Sequence, residues 1–178
     1  VMAAGVPVVP GTTEPVHDLD EAVRIANDIG YPVMIKASAG GGGKGMRRVE
    51  TEAEVRAAVE TAQREARGAF GSESVYLEKF VTRPRHVEIQ VFADTHGTCL
   101  YVFDRDCSVQ RRHQKVVELA PAPNLSPKLL EGILDAALKI GRAVRYSCAG
   151  TVEFLVDVDA QKFYFIEVNP RIQVEHTV

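Results

Sequence analysis

The sequence predicts an α+β fold, organised as a small mixed unit followed by a larger, strand-rich one. Three observations carry that expectation. In the first half, β-favouring runs and helix-period segments follow the order strand, helix, strand, strand, helix, strand. Beyond Thr82-Arg-Pro-Arg85 the texture changes to strands paired around short turns, with one long helical segment among them. The last stretch, Phe163 to His176, opens as a strand and then carries Glu167, Asn169, Arg171, Gln173 and Glu175. A polar residue at every second position puts all five on one face of an extended chain.

Composition narrows the function classes. The chain has 178 residues, 46% hydrophobic and 25% charged, values ordinary for a globular protein of one domain or two small ones. Its formal charge of -3 argues against nucleic-acid or membrane-surface partners, which favour a basic face. No apolar run approaches the roughly 20 residues of a membrane helix. Cys99, Cys107 and Cys148 form no C-x-x-C pair and leave one over, which favours free buried thiols in a reducing compartment. The expected location is cytoplasmic, or the mitochondrial matrix if a targeting segment precedes Val1. Both ends read as cut, so the chain is expected to be a fragment of a larger protein.

Taken in order, Ala4 to Gly11 reads as a short apolar strand closed by a Pro-Gly turn. Asp18 to Gly30 has Leu19, Ala22, Val23, Ala26 and Ile29 at helical spacing, with Gly30 as the stop. Tyr31 to Lys36 and Met46 to Val49 read as strands around a glycine loop. Thr51 and Glu54 suggest a capping box for a helix reaching about residue 69. Val75 to Val81 is a strand. His86 to Ala93 and Thr98 to Phe103 flank the Asp94-Thr-His-Gly97 turn as a hairpin. Val116 to Glu118 is a short extended piece before a Pro-rich linker. Ser126-Pro127 supplies an N-cap and a proline at the first helical position for a helix to about Val144. Thr151 to Asp157 and Lys162 to Val168 form a second hairpin.

Four features carry chemistry. The final strand combines two carboxylates, an amide carbonyl and a guanidinium, a set suited to metal-bound phosphate. Lys36-Ala-Ser-Ala-Gly-Gly-Gly-Gly-Lys-Gly-Met46 packs five glycines into six residues. That costs backbone entropy but supplies N–H groups able to approach phosphate oxygens, with Lys36 and Lys44 as cations. It fits neither the P-loop nor the dinucleotide fingerprint, and a flexible hairpin tip would have a similar look. Arg105 to Lys115 is rich in Arg, His and Lys; such runs are usually solvated loops, yet in a slightly acidic chain this one is a candidate anion site. Glu153 lies in a strand expected to pair with that of Glu167, and facing carboxylates are unfavourable unless a cation lies between them. With Asn169 nearby, these hard oxygen donors point to Mg²⁺ or Mn²⁺.

Six motifs then occur together and in order: Lys36 to Met46, Glu78-Lys79, Pro84 to Val91, Arg105 to Glu118, Ala149 to Phe154 and Glu167 to His176. The chain resembles the biotin carboxylase component of biotin-dependent carboxylases, an ATP-grasp enzyme, over essentially its whole length. Gly150 to Asp157 and Glu167 to Val178 look most like the version found in pyruvate carboxylase. The resemblance implies an ATP-grasp fold, with residues 1–7 a linker from a preceding domain, residues 8–81 a lid subdomain and residues 82–178 part of a larger antiparallel-sheet subdomain. It implies ATP-dependent carboxylation of biotin by bicarbonate through carboxyphosphate. The implied cofactors are ATP with Mg²⁺ or Mn²⁺, and biotin borne on a separate carrier. The implied partners are that biotinyl carrier and a carboxyltransferase, in an oligomeric parent enzyme.

On matching positions, Lys36 and His86 would contact the nucleotide, and Gly42 and Gly43 would cover its phosphates. Glu78, Lys79, Phe80 and Val81 would hold the adenine, partly through main chain, with His113 also near the nucleotide. Glu153 and Glu167 would bind the metals, with Asn169 at the second. Lys115, Arg171, Gln173 and Val174 would hold bicarbonate, with Lys115 and Arg171 acting in catalysis and Glu175 as general base. Lys44 stands where the family commonly has Arg, and Asp104 where it commonly has Glu; both keep charge. The alternatives are the biotin carboxylase of an acyl-CoA carboxylase, another ATP-grasp ligase such as the carbamoyl-phosphate type, a nucleotide-binding module without catalysis, or a purely structural fragment.

Overall fold

The computed structural model describes residues 1–38, 45–112 and 114–177. The chain divides into two compact units, residues 9–80 and residues 1–8 together with 81–178.

The smaller unit holds helix α1 (Leu19–Ile29), strands β1 (Val33–Ala37) and β2 (Met46–Val49), helix α2 (Glu52–Phe70) and strand β3 (Val75–Lys79). The strands form an antiparallel sheet in the order β2-β1-β3. Val33, Ile35, Val49, Val75 and Leu77 turn one face of it towards Ala22, Ala26, Val55 and Val59 of the helices, making one apolar core. The Asp18 carboxylate accepts from the Glu21 N–H at 3.0 Å, so Asp18 is a cap rather than the first helical residue. The capping box of α2 does not form. The Thr51 side chain makes no cap bond, and the Glu54 carboxylate accepts from the Glu50 N–H at 2.9 Å.

The expected strand over Ala4–Gly11 is absent. Met2–Ala4 is a single 3₁₀ turn, and Val8 and Gly11 make only isolated bridges. Pro7 and Pro10 have no N–H to give a ladder, so each contributes only its carbonyl, to Phe165 at 2.8 Å and Lys79 at 2.7 Å.

The larger unit holds β4 (Arg85–Ala93), β5 (Cys99–Arg111), β6 (Gln114–Leu119), helix α3 (Pro127–Ala143), β7 (Cys148–Asp157) and β8 (Lys162–Asn169). Its antiparallel sheet runs β6-β5-β4-β7-β8. Val87, Ile89, Val91, Val152, Phe154 and Val156 pack one face against Leu129, Ile133, Ala136, Ala137 and Ile140 of α3. The Ser126 hydroxyl caps α3 by accepting from the Leu129 N–H at 3.3 Å.

Two expectations are corrected here. β5 does not stop at Phe103 but continues to Arg111, so most of the cationic run is strand, and Arg105 is buried. Charged residues rarely favour strands; partners on β4 override that local tendency. At the other end, β8 stops at Asn169, before Pro170, and Val174–Thr177 is a 3₁₀ turn. Arg171, Gln173 and Glu175 therefore do not continue the extended face of Glu167 and Asn169. The thiols are also less buried than expected: among the three free cysteines Cys107 is buried, Cys99 half-buried and Cys148 exposed.

Candidate functional site

Since α3 occupies one face of the larger sheet, the alternating residues of β4 and β7 must find a different environment on the other. There the register aligns Arg105 on β5, Glu88 on β4, Glu153 on β7 and Glu167 on β8, in one row across four strands. A break in register between β7 and β8 makes this row possible. Phe154 pairs with Phe165 but Glu153 pairs with Glu167, which leaves Ile166 without a partner. This bulge lets Phe163 and Phe165 meet the apolar side of Phe154, at 5.7 and 6.3 Å between ring centroids, while Glu167 sits opposite Glu153.

Three glutamates side by side require compensating charge. Arg105 donates to Glu88 through Nε and Nη2, at 2.8 and 2.7 Å. The Lys115 ammonium on β6 donates to Glu88 and, at 3.0 Å, to Glu153 Oε1, and lies 3.6 Å from Glu175 Oε1. Asn169 Nδ2 donates to the same Glu153 oxygen at 2.8 Å, and His86 Nε2 meets Glu153 Oε2 at 2.7 Å. Gln110 fixes the tautomer of that imidazole. Its amide nitrogen faces the Cys107 carbonyl at 2.8 Å, so it is a donor, and it meets His86 Nδ1 at 2.7 Å. Nδ1 therefore accepts and Nε2–H donates to Glu153.

Burial alone would push the Glu153 carboxyl up, but the hydrogen bonds from His86 and Lys115 and the Lys115 charge outweigh it and hold the group down at about 2. Burial likewise works against the Lys115 ammonium, yet its bond to Glu88 and the charges of Glu88 and Glu153 carry its pKa above the usual lysine range. Glu118 is raised by burial and by the charges of Glu175 and Glu88. The Cys107 thiol is pushed well up by burial and by Glu88, which keeps it protonated and unfit as a ligand.

Among the described residues, Glu88, Glu118, Glu153 and Glu175, with Glu167 beside Glu153, thus face two permanent cations, Lys115 and Arg105. The excess is negative and oxygen-rich, which fits a hard divalent cation such as Mg²⁺ or Mn²⁺. Oxygen and nitrogen donors of His86, Glu88 and Glu153 already lie within 4.8 Å of one another.

The structure joins Lys115, Glu153, Asn169, His86 and Glu175, all named from sequence, in this one network. Gln173 reaches it through Arg105, whose Nη2 is 3.5 Å from its Oε1. Arg171 and Val174 are exposed; the Arg171 guanidinium contacts only the Ile172 carbonyl, at 3.3 Å, among the described residues. In the smaller unit, Lys36 and Glu78 form an ion pair at 2.5 Å on the sheet face away from the helices. Lys79 spends its ammonium on the Gly30 and Tyr31 carbonyls, both at 2.8 Å, after α1. The Arg48 guanidinium stacks on Phe80, 4.3 Å from the ring centroid. Val81 is buried in the larger unit. Gly42, Gly43 and His113 lie outside the described residues.

Glu88, Arg105 and Gln110 were not singled out from sequence as site residues. A signal existed for Glu88: His86, Glu88 and Gln90 alternate with Val87, Ile89 and Val91, the same period-two pattern that marked the last strand.

With this geometry in hand, comparison with known proteins is informative. Residues 1–178 match the family described as carbamoyl-phosphate synthase L chain, ATP binding domain. The chain belongs to this family. Among curated relatives, pyruvate carboxylase of Bacillus subtilis (strain 168) is 53% identical over 175 residues, covering 98% of this chain and 15% of the relative. Among solved structures, a biotin carboxylase–β,γ-ATP complex from Campylobacter jejuni superposes with a TM-score of 0.90 at 48% identity, over 99% of this chain and 39% of that one. The biotin carboxylase domain of Hydrogenobacter thermophilus 2-oxoglutarate carboxylase, with MgADP, ADP and bicarbonate, gives 0.89 at 47%, again covering 99% and 39%. The chain thus spans well under half the length of the relatives it matches. The α+β ATP-grasp fold expected from the motifs is borne out by these matches.

Proposed function

We propose that the chain carries the nucleotide-, metal- and bicarbonate-handling residues of a biotin carboxylase: ATP-dependent carboxylation of biotin, in a pyruvate carboxylase-like enzyme. The observation that carries this reading is the row Glu88–Glu153–Glu167 with Lys115 bridging its first two members. An anionic oxygen cluster beside an ammonium suits phosphoryl transfer to a small oxyanion, where catalysis is mostly positioning and charge neutralisation. Kinship with proteins solved with MgADP and bicarbonate supports the same reading.

In this scheme Lys36 and His86 contact the nucleotide, Gly42 and Gly43 cover its phosphates, and Glu78, Lys79, Phe80 and Val81 hold the adenine, with His113 also near the nucleotide. Glu153, Glu167 and Asn169 hold the metals, which when bound neutralise phosphate charge. Lys115 and the planar fork of Arg171 hold bicarbonate with Gln173 and Val174. Glu175, 3.6 Å from Lys115, takes the bicarbonate proton as its oxygen attacks the γ-phosphorus. That bond forms as the bond to ADP breaks, giving carboxyphosphate; its C–O bond then breaks, the released phosphate takes the N1 proton of biotin, and N1 bonds to the CO₂ carbon. The biotin belongs to a carrier domain, and the carboxylated product to a carboxyltransferase.

The test is biotin- and bicarbonate-dependent ATP hydrolysis by the full-length protein. Arg171→Met is expected to lower kcat at least about 100-fold, as loss of a preorganised charge contact does, while nucleotide affinity stays within about twofold. Equal loss of both would remove Arg171 from the anion site. The family match supports a second reading, a carbamoyl-phosphate-type ligase; ATP hydrolysis stimulated by an ammonia source and indifferent to biotin would favour it.

A further inference from the structure

We propose that Lys115 is a latch on the metal site: it sits on the carboxylate oxygen of Glu153 that a metal needs, and metal binding releases it towards Glu175 and the anion. The inference rests on the metal and bicarbonate roles proposed above and adds an order to them.

An ionised carboxylate offers about four acceptor positions, two per oxygen. On Glu153 Oε1 both are engaged, by Lys115 at 3.0 Å and Asn169 at 2.8 Å, and on Oε2 one is engaged by His86 at 2.7 Å. One position on Oε2 stays open, but Asn169, assigned above to the metals, bonds Oε1, so a cation shared by Asn169 and Glu153 lies on Oε1 and must displace a donor. Asn169 can remain by turning its amide, since its carbonyl oxygen is itself a hard donor. Lys115 cannot, because an ammonium on the same oxygen would lie beside a divalent cation, with like charges in a poorly solvated place.

Lys115 also has somewhere to go. The fully buried Glu88 anchors it and is itself held by Arg105, so the ammonium can pivot without leaving its main partner. Its distance of 3.6 Å from Glu175 Oε1 is too long for a hydrogen bond and short enough for a small swing to make one. The movement takes the cation from metal ligand to proposed base, where bicarbonate would bind. In the resting protein the ammonium stands in for the metal. With metal bound, the same charge becomes available to the anion. Two ligands that share one switchable group are linked reciprocally.

The readout is the chemical accessibility of the Lys115 amine, measured without turnover. The chain is incubated with a non-hydrolysable ATP analogue, with and without Mg²⁺ and in the absence of bicarbonate. It is then briefly acetylated with an amine-reactive ester and analysed by mass spectrometry, with the exposed Lys162 as internal standard. Lys115 labelling is expected to rise about tenfold with Mg²⁺, within the range usual for coupled sites, and not with the analogue alone. Mn²⁺ occupancy is followed in parallel by electron paramagnetic resonance in wild type, Glu153→Gln and the exposed-site variant Glu167→Gln. Tight Mn²⁺ binding that either variant weakens, with Lys115 labelling unchanged or falling, would overturn the latch while leaving the metal site standing. Mn²⁺ binding indifferent to both variants, or absent, would overturn the metal assignment and the latch with it.

Discussion

Glu153 accepts from Lys115, Asn169 and His86 while only 4% of its surface is exposed. Its carboxyl lies at about 2 against an ordinary 4.5, so the folded state prefers the ionised form. A depressed group contributes stability that is complete above the unfolded value and fades as pH falls towards the folded one. That contribution is roughly 3 kcal/mol at neutral pH, lost between about pH 4.5 and pH 2. Glu153→Gln should therefore be less stable than wild type at pH 7, and the gap in urea midpoints should narrow as pH drops from 6 to 3. A gap that is constant with pH would mean that the carboxylate's charge does not stabilise the fold.

Among the elements, α3 and β5 meet most closely at Gly141, where a Cβ would come within 2.7 Å of Cys99 Sγ. In a helix interior Ala is normally better than Gly by up to about 1 kcal/mol. Here the contact reverses the sign, and Gly141→Ala is expected to cost about 1–3 kcal/mol, the usual price of overpacking. Cys99→Ala should restore room, so that the double variant is at least as stable as Cys99→Ala alone; thermal melts of the three variants check this. The helices were legible in sequence because their spacing and caps are local signals: Asp18 and Ser126 both cap where their residue types predict. The length of β5 was not. Arg105 and Asp106 look like loop residues until Glu88 and Arg85 on β4 partner them, and Asp104 until its carboxylate accepts from the Ala122 N–H. The same holds for the site. Lys115, Glu153 and Asn169 are legible in the motifs, whereas Glu88, although it alternates with the apolar residues of β4, becomes the partner of Lys115 only once β4 lies beside β5 and β7.

At the scale of the whole molecule, the two cores share no buried residue. One gathers around Ile35, Val55 and Leu77, the other around Ile89, Ile133 and Phe154. Leu77→Ala should cost about 2–5 kcal/mol in the unit of residues 9–80. Hydrogen exchange should show faster opening there and unchanged protection in β4 and β7; equal loss in both would mean that they unfold as one. The unpaired Ile166 has the longest reach. Strand residues alternate between faces, so Phe165 and Glu167, two apart, can face opposite sides only because this extra residue lies between them; deleting it would leave the same pairs in a regular ladder. In evolutionary terms the site is protected by spacing as much as by spelling. Ile166 is a position where a codon can be lost without changing what its neighbours face, whereas a codon lost at Val168 would bring Asn169 opposite Val152, on the helix side.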